Sequence, residues 1–187
     1  KGHIKKEANA NERIRQITAY HEAGHTVATA LLTNQELTRV TILPSTSGVG
    51  GYTKAIPPEQ ELYTQEQVAN EIKVLYAGRQ SELAFNHGNK KEVTIGCSND
   101  IQVATSMLKN CLNFTDLVDN GPIVDYTQFG FSGEKESLKI VENVSERLMK
   151  ETTDFVNEHW NEIELVAKAL LEKETLQGEE VMEILGL

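Results

Sequence analysis

The sequence predicts a mainly helical, bundle-like domain with a small β-sheet. Three observations carry this reading. Apolar residues recur at helical spacing through most of the chain, β-type runs are confined to two short stretches around Arg39 and Tyr52, and capping signatures stand ahead of the later helical patterns. With 187 residues, 39% hydrophobic and 25% charged, residues 1–187 read as one domain able to bury a core, with 1–10 as a flexible leader. The longest apolar run, Val27 to Leu32, is broken by Thr29 and falls far short of the ~20 residues of a membrane helix.

The first helix is expected from about Asn11 to Thr33, with Ile14, Ile17, His21, Gly24, His25, Ala28, Leu31 and Leu32 on one face. Two strands follow, Arg39–Leu43 and Gly51–Ile56, joined by a Ser/Gly-rich loop from Pro44 to Gly50 and stopped by Pro57-Pro58. Thr64 with Gln67 forms a capping box that opens a second helix to about Asn86, with Val68, Ile72, Leu75, Arg79 and Glu82 facing inward. His87-Gly88-Asn89 ends it. Ser98-Asn99-Asp100 is an N-cap cluster before a third helix from Ile101 to about Asn113. Phe114 to Gly133, containing Gly121-Pro122, reads as an irregular loop. A long helix then runs to about His159, followed by Glu162–Lys173 and a last turn and helix after Thr175.

The formal charge of −10 is uneven: residues 1–20 carry +3, residues 21–130 carry −5 and residues 131–187 carry −8. Such acidity makes nucleic acid a poor partner, and the C-terminal excess reads as a solvated helix face. Two cysteines, Cys97 and Cys111, do not make a disulfide framework and read as free thiols of a reducing compartment.

The chemistry concentrates in Tyr20-His21-Glu22-Ala23-Gly24-His25. Residues four apart on a helix lie one above the other, so both imidazoles of HExxH reach one metal ion. Glu22 is turned about 100° around the helix from His21 and can address a water on that ion. Both histidines share the apolar face, where unpaired imidazoles are costly to bury, and a metal satisfies them. Zinc is the expected ion, and it needs a third protein ligand. Asp100, Glu82, His87, Cys97 and His159 are all candidates by spacing.

The segments Thr18-Ala-Tyr-His-Glu-Ala-Gly-His25, Gly51-Tyr-Thr53, Ala77-Gly-Arg-Gln-Ser-Glu82, Gly96-Cys-Ser-Asn-Asp100 and Leu170-Leu-Glu-Lys-Glu-Thr-Leu176 occur in this order. Together they resemble the peptidase domain of the FtsH / AAA metalloprotease family, over about Thr18 to Leu185. The resemblance implies a mainly helical zinc peptidase domain with a small sheet. It also implies metal ligands His21, His25 and Asp100, with Glu22 as general base. It implies that the sheet edge at Gly51, Tyr52 and Thr53 takes up an extended polypeptide substrate by main-chain pairing. Glu82 and Arg79 match the family's AGRxxE and are expected either as a buried i,i+3 pair or as support behind the metal ligands.

Family members join this domain to an AAA ATPase module, assemble as homo-hexamers and sit at the cytoplasmic face of a membrane. No GxxxxGK[ST] phosphate loop occurs here, so ATP enters only through a module outside these residues. The chain is expected to be an excised domain or a shortened relative. Two other functions fit the same motifs: an assembly or scaffold domain with structural zinc, and a stand-alone ATP-independent peptidase.

Overall fold

The computed structural model describes residues 2–44, 50–60, 62–112 and 124–187, with side chains excepted at 2–10, 111, 112 and 127. The described chain contains six α-helices and three short strands. They run in the order α1 (Gly2–Leu32), β1 (Glu36–Thr41), β2 (Tyr52–Ile56), α2 (Gln65–Phe85), α3 (Ser98–Leu112), α4 (Gly130–Glu158), α5 (Trp160–Lys173), β3 (Thr175–Gln177) and α6 (Gly178–Leu185). The mainly helical class with a small sheet is what the sequence predicts. Helix α1 includes residues 2–10, the segment expected from the sequence as a leader.

Helix α1 is the axis of the fold. From Ile17 to Thr29 it buries residues on nearly every side, among them Ala19, Tyr20, Ala23, Val27 and Ala28. It can do so because α2, α5 and the sheet contact it from different directions. Tyr20 is stacked between Phe85 of α2, at a centroid distance of 4.2 Å, and Trp160 of α5, at 5.4 Å. Gly24 makes the α1–α2 approach feasible: a Cβ there would stand 2.6 Å from the Ala77 carbonyl oxygen and 2.2 Å from Ser81 Oγ. Ile14, expected on the core face, is instead exposed and lines a cleft.

The sheet is antiparallel with strand order β2-β1-β3. β1 pairs Val40 with Thr53 on one side and with Leu176 on the other. The third strand was not expected from the sequence. Only three residues long, it is fixed by its pairing with β1 and by the buried Leu176 rather than by any local signal.

Helix α2 begins with the predicted capping box, in which Thr64 Oγ1 accepts from Gln67 N–H and Gln67 Oε1 accepts from Thr64 N–H. A second core lies between α2, α3 and α4, built from Ile72, Tyr76, Ala104, Leu108, Val144 and Leu148. On α4 the buried residues Val144, Leu148, Thr152 and Val156 recur every four positions. Most of the expected loops at 44–50 and 114–133 lies outside the described residues. The described end of the second is a 3-10 turn, Tyr126–Phe129, leading directly into α4.

Candidate metal centre

His21 and His25 project from the middle of α1 toward α2 and the start of α3. Each ring is held at one nitrogen. His21 Nδ1 lies 2.7 Å from Glu82 Oε1, and His25 Nδ1 lies 2.8 Å from the backbone carbonyl of Val74. Both partners are acceptors, so both Nδ1 atoms donate, and that fixes the tautomer of neutral imidazole. The two Nε2 atoms are then lone-pair donors to a metal. They lie 3.0 Å apart, and Asp100 Oδ2 is 3.5 Å from the first and 3.4 Å from the second. The three ligand atoms lie within 4.8 Å of one another.

Three acceptor atoms facing one point call for positive charge between them, supplied by a metal ion or, without one, by a proton. The electrostatics agree. Burial alone would lower the His21 pKa, but the Asp100 and Glu82 carboxylates, with Glu22 nearby, carry it up to about 10. Burial alone would raise the Asp100 pKa, but its contacts with His21 and His25 hold it well below the usual carboxylate range. The pocket draws positive charge inward, and two imidazole nitrogens plus one carboxylate oxygen are a donor set that suits zinc.

Glu82 organises this arrangement from behind. It is 1% exposed, and besides His21 it accepts from Thr94 N–H at 2.7 Å and Thr94 Oγ1 at 3.0 Å. Thr94 immediately precedes the turn Ile95–Cys97 that leads into α3, so one carboxylate ties the first histidine to the segment presenting Asp100. Asp100 itself sits in the first turn of α3, where the helix dipole favours an acid. Thr94 was missed from the sequence. Its signal was the turn in which its hydroxyl accepts from Gly96 N–H.

The expected Arg79–Glu82 pair does not form. Arg79 is half-buried and donates to Gln80 Oε1 at 2.7 Å, while Glu82 turns toward α1 and is taken up by His21 and Thr94. Of the other ligand candidates, Glu82 contacts His21 through Nδ1, the nitrogen directed away from the cluster. His87 is exposed past the end of α2, and His159 is 3.8 Å from Glu162. Cys97 is buried, its thiol directed to the Thr94 carbonyl, with its pKa pushed up chiefly by burial. None of these four joins the cluster.

Gly78, within the Ala77-Gly-Arg motif, lies beneath the rings. A Cβ there would stand 2.5 Å from His25 Nε2 and 2.8 Å from His21 Nε2, so only glycine leaves the imidazoles room. Glu22 is 6% exposed, and its Oε2 accepts from Thr53 Oγ1 at 2.9 Å. Gly51 gives β2 the same closeness to α1, since a Cβ there would meet Thr41 O at 2.9 Å and Glu22 Cγ at 3.1 Å. Gly51, Tyr52 and Thr53 form one wall of a cleft of about 800 Å³ that also reaches His21, Glu22, His25 and Asp100.

Residues 8–184 match the model of peptidase family M41. The chain belongs to this family. It is 41% identical over 175 residues to ATP-dependent zinc metalloprotease FtsH 1 of Alkaliphilus metalliredigens, covering 91% of this chain and 29% of that protein. The FtsH of Lachnoclostridium phytofermentans is 35% identical, covering 91% of this chain and 30% of the relative. FtsH 2 of Sphaerobacter thermophilus is 32% identical, covering 91% and 27%. This M41 chain thus spans under a third of the length of those relatives. Among its described residues no helix is long and apolar enough to cross a membrane.

Proposed function

We propose that the chain is the peptidase domain of a zinc-dependent metalloendopeptidase that hydrolyses peptide bonds of unfolded or membrane-associated proteins. One observation carries the reading: His21 Nε2, His25 Nε2 and Asp100 Oδ2 meet beside an open cleft, with the Glu22 carboxylate one residue from the first. Three protein ligands with an open side are the pattern of catalytic zinc, whereas structural zinc is normally closed by four. That favours a peptidase over a scaffold domain.

Zinc bound there supplies Lewis acidity for the scissile carbonyl and lowers the pKa of water toward ~7. Glu22 takes the proton of the attacking water and returns it to the leaving amine nitrogen. Glu82 keeps His21 in the tautomer that leaves Nε2 free to ligate. The outer edge of β2 at Gly51, Tyr52 and Thr53 is unpaired among the described residues. It is suited to hold an extended substrate through backbone hydrogen bonds, which are indifferent to side chains.

The relatives' printed description as ATP-dependent, and their more than threefold greater length, support coupling to an ATPase module outside these residues; a homo-hexamer and a location at the cytoplasmic face of a membrane belong to the same proposal and rest on the family resemblance alone. Assaying this chain alone on a short peptide and on a folded protein separates the ATPase-coupled reading from an ATP-independent peptidase.

The decisive variants are Glu22→Gln and Asp100→Asn. E22Q keeps zinc and cleaves an unfolded protein about 10²- to 10⁴-fold more slowly, while D100N loses zinc on elemental analysis. Zinc-loaded E22Q working at the wild-type rate removes Glu22 from the mechanism. D100N that holds zinc, with zinc lost in E82Q, makes Glu82 the third ligand.

A further inference from the structure

We infer that Thr53, with Thr26 behind it, is a positioning residue for Glu22, forming a hydroxyl pair that decides which carboxylate oxygen is left to take the proton. The inference rests on Glu22 acting as the base proposed above. An ionised carboxylate only accepts hydrogen bonds, so Thr53 Oγ1, 2.9 Å from Glu22 Oε2, is the donor. Its hydrogen is then committed. Thr53 Oγ1 can therefore only accept from Thr26 Oγ1, 3.1 Å away. Thr26 is 0% exposed, and among the described residues its hydroxyl has no other partner, so nothing competes with that direction. Thr53 Oγ1 also lies 3.3 Å from the Glu22 backbone oxygen, but the shorter bond to a charged acceptor prevails.

The order is Thr26 to Thr53 to Glu22, and hydrogen bonds aligned in one sense strengthen one another. Glu22 Oε2 is held at the end of this relay. Glu22 Oε1 has no hydrogen-bond partner among the described residues and is the oxygen available to water.

The two hydroxyls belong to different elements, so the contact also sets the base against the sheet. Thr53 lies on β2 opposite Val40, and strand alternation turns its side chain toward α1 while its neighbour Tyr52 is exposed. Thr26 lies one helical turn beyond Glu22 on the same face of α1. Gly51 brings the strand close enough for the bond.

Thr53→Val removes the hydroxyl at nearly constant volume, Thr53→Ser keeps it, and Thr26→Val removes the second donor. With zinc loaded and a quenched peptide as substrate, T53V lowers kcat about 10- to 100-fold and leaves KM within about twofold of wild type. T53S restores kcat, T26V gives a smaller loss of about 3- to 10-fold, and zinc content stays at the wild-type level throughout. A readout independent of turnover is the crystal structure of the zinc-free chain, in which the Glu22 carboxylate leaves its position in T53V and keeps it in T53S.

An unchanged kcat in T53V, or an unmoved Glu22 carboxylate, overturns the inference. If T53V does not fold, an unchanged kcat in T26V overturns it. If zinc-loaded wild type cleaves nothing, the proposed function has failed, and the crystal comparison still judges the Thr53–Glu22 contact on its own.

Discussion

Gly78 is where one methyl group tests the metal site most directly. In Gly78→Ala the new Cβ would lie 2.5 Å from His25 Nε2 and 2.8 Å from both Cε1 and Nε2 of His21. Carbon and nitrogen in ordinary contact stand about 3.5 Å apart, so the substitution demands roughly 1 Å of movement. The rings cannot simply turn, because each is tied at its other nitrogen. Turning them breaks the His25 bond to Val74 O and the His21 bond to the Glu82 carboxylate. A neutral and a charged hydrogen bond of this kind are worth about 1 and about 2 kcal/mol. Separating α1 from α2 instead disrupts a contact that Gly24 keeps equally close. A loss of about 3 kcal/mol weakens zinc binding roughly 150-fold. Helix propensity favours alanine over glycine by about 1 kcal/mol, which offsets part of the strain in the metal-free fold. Zinc titration against a chromophoric chelator measures the first effect, and urea unfolding of the metal-free chain measures the second. Wild-type zinc affinity in G78A refutes the reasoning.

Glu82→Gln keeps the shape of the side chain but removes the charge behind His21. Zinc affinity falls about 10- to 100-fold, measured by the same titration, and equal affinity in E82Q and wild type contradicts the role given to Glu82. Leu176→Ala empties a fully buried site where β3 meets the core and lowers unfolding stability by about 2–5 kcal/mol in urea. A loss below about 1 kcal/mol shows that β3 is not anchored through this side chain. Cys97 is buried with a raised thiol pKa, so in a Cys111→Ser background it alkylates far more slowly in the native chain than in urea. Equal rates by mass spectrometry contradict its placement.

The parts of the site legible in the sequence are those fixed by one helix's geometry. His21, Glu22 and His25 follow from the repeat of α1, and Glu82 was placed at the right turn of α2. Contacts between elements were not legible. Arg79 and Glu82 are correctly three apart, yet nothing local says that Glu82 spends its oxygens on His21 and Thr94 while Arg79 turns to Gln80. Gly78 reads as a neutral helix residue until the rings above it are known. Thr53 reads as a strand residue, and its bond to Glu22 needs the β2–α1 distance. The fold shows the same division. The amphipathic pattern of α4 marks its core face directly, whereas α1 is covered on several sides, so the one face read from its periodicity leaves out Ala19, Tyr20, Ala23 and Val27, which are also buried. Ile14 shows the cost of that ambiguity: an apolar residue at the right spacing ended in the cleft wall.

The sheet has two outer strands of unequal character. β2 is five residues long and lies beside the cleft, while β3 is three residues long and bracketed at once by α5 and α6. A strand that short is a poor template, and natural sheets use such stubs to keep copies from pairing edge to edge. The two flanks therefore offer an extended partner unequal templates among the described residues: a five-residue edge on β2 and a three-residue stub on β3, the length that least favours edge-to-edge pairing.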